Sequence, residues 1–195
     1  MKTIINHLEY LSTLTQEIKL YKEFGPKLIL HHCGKIVEEI DNQYIEFLKN
    51  TNGAYILGYT FLGIKNRALS ENVYDFMRTL YDDNFILCSQ FWGVARTKNG
   101  LIFGYLKIKD KNGNHYIGYY DPMKLDEVYI ISSSFNIFIN KFLDSIENEL
   151  TINPNIKYLN ANWFFNPDIK KLSLTDSELY EFINKNNNGS LIYKL

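Results

Sequence analysis

At 195 residues, with 46% hydrophobic and 22% charged side chains, the sequence has ordinary globular composition and is neither disordered nor fibrous. Lys and Arg total 21 against 22 for Asp and Glu, so no global charge bias marks a nucleic-acid binder. Two cysteines are too few for a disulfide framework, and no apolar run reaches the length of a membrane span. The first residues, Met1 to Glu9, interrupt their apolar positions too early for a signal peptide, which places the protein in the cytoplasm as an expectation. The length suits one domain over residues 1–195.

Ile4, Leu8, Leu11 and Ile18 share a helical face, which predicts a helix over the first twenty or so residues, stopped by Gly25-Pro26. Lys27 to Ile40 fits a strand or a helix equally. Asp41 is placed to cap a short helix carrying Tyr44, Phe47 and Leu48, with Asn52-Gly53 to end it. Tyr55 to Leu57 and Thr60 to Ile64 read as extended, broken at Gly58. Val73, Phe76, Met77, Leu80 and Tyr81 then recur at helical spacing, and the other side of that helix carries Glu71, Asp75, Asp82 and Asp83 with Arg78.

Two Asn-Gly pairs, Asn99-Gly100 and Asn112-Gly113, sit between β-branched and aromatic runs and predict two tight hairpins. They join Gly93–Thr97, Leu101–Lys109 and His115–Asp121 into a meander, with a further strand at Glu127–Ile131. Within it Ile102, Gly104, Leu106 and Ile108 form the better core face, and mid-strand Gly104 implies a close backbone or ring neighbour. After Ser134 the period switches to helical, with Phe135, Phe138, Ile139, Phe142, Leu143 and Ile146 on one stripe. The predicted fold class is α+β, an antiparallel β-meander sheet with helices packed on one face. Farther on, Trp163, Phe164 and Phe165 form an aromatic knot, Thr175-Asp176 begins a short helix, and Ser190–Leu195 reads as a terminal strand packed back onto the domain.

No catalytic motif is visible. His31-His32-Cys33 is the only soft-ligand cluster, and consecutive residues diverge too much to hold one ion, so no metal is expected. A nucleophile pair drawn from Cys33 or Cys88 with His115 has no local support, and Cys88 follows an apolar run where an inert buried thiol is expected. Lys98, Lys107, Lys109 and Lys111, with Tyr105 and Tyr116, suggest a phosphate-tracking surface, but lysines on strand edges more often prevent edge pairing. Nucleic acid is therefore not the favoured partner. Fifteen Tyr and thirteen Phe are compatible with protein contact.

Residues Asn42 to Ala54, with the aromatic-x-x-Phe-Leu core Tyr44, Phe47 and Leu48 ending at Asn52-Gly53, resemble the opening of SUKH-superfamily domains of the SMI/KNR type. Phe91–Thr97, Leu101–Asp121, Glu127–Ile130 and Ser133–Ile139 are similar to that family's meander and its closing Ser-Phe-x-x-Phe helix. The sequence departs from it at Asn99-Gly100-Leu101, which lacks the family's Gly-Asp pair, and in the long insertion 65–84. The resemblance implies a SUKH-like core at about 41–143, with an N-terminal helix before it and a C-terminal extension over 150–195, no cofactor, and a function in binding. Many bacterial members are immunity proteins that neutralise a cognate toxin, and fungal relatives regulate cell-wall synthesis. It suggests a non-catalytic immunity protein, with a regulatory or scaffolding module as the alternative and a small hydrolase less favoured. Glu71, Tyr74, Asp75, Asp82 and Asp83 are the candidate contact for a basic toxin such as a nuclease. The oligomeric state is left open.

Overall fold

The computed structural model describes residues 1–22, 25–36, 41–64, 72–83, 85–124, 126–159 and 168–195. In chain order these form α1 (Lys2–Leu14), β1 (Ile18–Leu20), α2 (Pro26–Ile36), α3 (Asn42–Asn50), β2 (Ala54–Ile56) and β3 (Tyr59–Phe61). There follow α4 (Val73–Asp83), α5 (Phe85–Gln90), β4 (Phe91–Thr97), β5 (Ile102–Lys109), β6 (His115–Tyr120) and β7 (Glu127–Ser132). The chain closes with α6 (Phe135–Ile152), α7 (Ile169–Thr175), α8 (Ser177–Lys185) and β8 (Ile192–Lys194). The eight strands make one antiparallel sheet in sequence order, so the α+β meander holds and extends at both ends.

The N-terminal helix is shorter than its periodicity predicts. It ends at Leu14, Thr15 turns extended, and Ile18 lies in β1 opposite Ile56. Ile18 fits the stripe of α1, but the main-chain bonds from Leu57 N to Glu17 O (2.9 Å) and from Tyr21 N to Gly53 O (3.3 Å) commit it to the sheet. A long-range ladder here overrides local pattern. The ambiguous segment after Gly25 is helical as far as Ile36, with Pro26 at the first position, where its missing N–H costs nothing.

Both Asn-Gly hairpins form, with φ of +88° at Gly100 and +82° at Gly113. Register sets Ala54, Phe61, Ala95, Phe103 and Tyr119 in one row across β2 to β6. Over that row lie α6 and α3: Phe103 meets Phe138 at 6.1 Å, Phe61 meets Phe142 at 5.5 Å, and Phe47 meets Phe135 at 5.6 Å between ring centroids. The expectation that the Ile102 and Leu106 side is the better core face is corrected by this layer, because fully buried Phe103 faces it. Ile102 and Leu106 are also buried, and alternation cannot rank two faces that are both covered. On their side Phe76 of α4 reaches Gly93, whose partner in the register is Gly104. A Cβ on Gly104 would run into the Trp92 carbonyl of the neighbouring strand, which is the close approach the glycine implied.

The C-terminal elements are fastened by one side chain. Asp176 caps α8 through Leu179 N and is almost wholly buried. Its carboxylate accepts from Ser132 Oγ (3.0 Å), Ser133 N (3.1 Å) and Lys141 Nζ (2.9 Å), joining α8 to β7 and α6. The strand β8 then pairs with β7. On its outer edge Ile192 N donates to Ser190 Oγ (3.0 Å) and Ile192 O accepts from Asn187 Nδ2 (2.8 Å). The Asn-rich tract thus blunts this edge against further pairing.

Candidate functional site

The helix α4 begins because Asn72 caps it: the Asn72 side-chain oxygen accepts from Tyr74 N (3.0 Å) and Asp75 N (3.1 Å). Val73 N also donates to Gly63 O (3.0 Å), which ties the cap to the loop after β3. The inner stripe of Val73, Phe76, Met77 and Leu80 is buried. Phe76 sits over Gly93, and the Met77 sulfur accepts from Gly93 N (3.2 Å), so the helix is fixed from beneath.

The outer side carries the candidate residues. Tyr74 is 48% exposed, and Asp75, Asp82 and Asp83 are exposed; Glu71 lies outside the described residues. Spacing groups Tyr81 with the apolar stripe, but it is 53% exposed and belongs to the outer face, seven residues from Tyr74. Arg78 is exposed between the two tyrosines, and Ile86 of α5 is also exposed. Aromatic anchors ringed by carboxylates on a rigid helix form a surface suited to contact.

Among the described residues the alternative chemistries do not assemble. His115 is buried, its Nδ1 bonds Leu106 O at 2.8 Å, and its ring lies between Trp92 and Tyr105. Cys88 is buried with its thiol directed at Met77 O, and burial pushes that thiol up to about 11, so it stays protonated at neutral pH. The side chains of His32 and Cys33 lie outside the described residues, as do Trp163 to Phe165. Among the described residues no group of His, Cys, Asp and Glu could hold a metal. Nor is any described helix long and apolar enough to cross a membrane. A groove of about 290 Å³ between α6 and α7 is lined by Lys141, Asp144, Asp168 and Lys171, a mixed set without histidine or thiol.

The hairpin lysines do not share a platform with Tyr105 and Tyr116. Both tyrosines are buried, Tyr116 against Phe182 at 4.7 Å, and Lys111 pairs with Glu178 at 2.6 Å. Lys98 instead stands 5.8 Å from the ring of Tyr158, a residue that no sequence motif marks. Its place depends on residues 156–159 folding back onto the β2–β3 turn, where Leu159 N donates to Leu57 O (2.9 Å).

The profile of the SUKH_6 family, described as SMI1-KNR4 cell-wall, matches residues 37–139, more than half the chain. The match runs from just before α3 into the first turns of α6. No curated protein matches the sequence.

Proposed function

Because this chain belongs to the SMI1-KNR4 family of the SUKH superfamily, we propose that it is a cytoplasmic immunity protein that binds a cognate toxin domain and blocks it without catalysis. The observation that carries this reading is the outer face of α4, where exposed Tyr74 and Tyr81 stand among Asp75, Asp82 and Asp83. The tyrosines supply rigid contact area with an apolar body and a polar tip. The carboxylates complement a basic active-site cleft, as in a nuclease that must hold phosphate, and they speed encounter through long-range attraction. Buried His115 and Cys88, each with its own partner, are consistent with binding rather than chemistry. We take all 195 residues as the working domain, since one sheet includes strands from both ends.

The family's cell-wall description favours a second reading, a regulatory protein-binding module, and the two separate cleanly. In the first, co-expression with the product of a toxic neighbouring gene restores growth, and Asp75→Lys with Asp82→Lys abolishes the rescue while circular dichroism is unchanged. Rescue that survives both reversals removes α4 from the account, and failure of the unaltered protein to protect against any neighbouring gene product removes the immunity reading.

A further inference from the structure

The register places Lys19, Tyr55, Thr60 and Arg96 in one row across β1 to β4, and Arg96 pairs with Ile102. Ile102 shares its side of β5 with Gly104, Gly104 pairs with Gly93, and Gly93 lies under Phe76. The row and α4 therefore occupy the same face of the sheet, side by side. At the far end of the row Lys19 is exposed and Tyr55 half-buried. Tyr158 lies against Gly58, where a Cβ would come within 2.8 Å of its ring at a φ of +90°, so only glycine gives the ring that seat. The ring is 55% exposed and Lys98 leans over it.

One face thus holds an acidic ridge with two tyrosines beside a floor with two more, on which Lys19, Arg96 and Lys98 outnumber Glu17, the carboxylate near Tyr55. We propose that this face binds a second copy of the chain through a two-fold axis, the ridge of each copy lying on the floor of the other. An isologous contact needs a patch complementary to itself, and opposite charges set side by side provide that complementarity. The formal net charge of −1 leaves little repulsion between copies. Pairing through the β8 edge is blocked by Asn187 and Ser190, whereas among the described residues of this face Lys19, Tyr74, Tyr81 and Tyr158 are exposed. A nucleic acid fits poorly because the carboxylates of α4 share this face with the lysines and repel phosphate. The inference rests on the α4 reading in one respect, that a toxin and a second copy use the same helix, so a bound toxin displaces the dimer.

Sedimentation of the full-length protein tests it. The unaltered chain is expected to dimerise in dilute salt and to dissociate as salt rises. Lys19→Glu with Lys98→Glu, and separately Asp75→Lys with Asp82→Lys, should each weaken the dimer by about tenfold or more. An equimolar mixture of the two variants should dimerise again, because each then meets its opposite at both contacts. A monomeric unaltered protein in dilute salt, or a mixture that stays monomeric, overturns the proposal. Toxin protection by a strictly monomeric protein would sink the dimer and leave the immunity reading standing.

Discussion

The carboxylate of Asp176 carries more structural consequence than any other single charge described. It is buried, it accepts four hydrogen bonds, and its ion pair with Lys141 is shielded from screening by water. Removing one member of such a pair leaves an uncompensated charge, so Asp176→Ala should lower stability by about 3–5 kcal/mol in urea unfolding. A loss within the scatter of surface substitutions would mean that the C-terminal elements are held by something else. Burial also sets the tyrosines. The Tyr116 hydroxyl is pushed from 10.0 up to about 12, chiefly by desolvation and then by Asp110 and Glu178, and burial raises Tyr59 and Tyr119 as well. The neutral phenol is favoured in the fold. Its contribution is therefore intact below pH 10 and lost as pH rises toward about 12. Phenolate absorbance should show a late-ionising class whose titration coincides with unfolding. Ionisation of all tyrosines at the ordinary phenol value with the fold intact would contradict this.

Elements were legible in the sequence where local chemistry and tertiary packing agree. The helix α3 reads directly from Asp41, which accepts from Gln43 N and Tyr44 N, and α6 reads from Ser134 and its phenylalanine stripe. The Asn-Gly hairpins read for the same reason, since the turn dictates the residue. Legibility failed where a distant partner decides. Three residues of β1 are held by β2, and nothing within Ile18–Leu20 announces a strand over one more helical turn. The outer face of α4 was half legible, because spacing separates Asp75 and Asp82 from the core stripe but assigns Tyr81 to it. The cationic floor was not legible, because Lys19, Tyr55, Lys98 and Tyr158 come together only through register and the return of residues 156–159. Gly104 gives a test at this scale. Gly104→Ala must force β4 from β5 at the Trp92 carbonyl, with an expected loss of about 2–3 kcal/mol and weakened amide protection in both strands. Unchanged protection there would mean the strands can separate locally without cost.

At the scale of the whole molecule, the sheet works as a plate with unequal sides. One side is sealed by the aromatic layer of α6 and α3, while the other leaves α4 and the β1–β3 region outward. A rigid plate under α4 means that its exposed residues need little ordering on contact, which favours affinity through preorganisation. The most direct measurement is a calorimetric titration of the purified protein with the toxin domain that its co-expression disarms. The unaltered protein is compared with the Asp75→Lys, Asp82→Lys variant. If the outer face of α4 is the contact, Kd rises by about 30-fold or more, equivalent to roughly 2 kcal/mol, while the protein stays folded and thermal stability falls only by the small cost of losing the Asn72–Asp75 bond and reversing a first-turn charge. Equal affinity of the two proteins, both folded, would contradict the account.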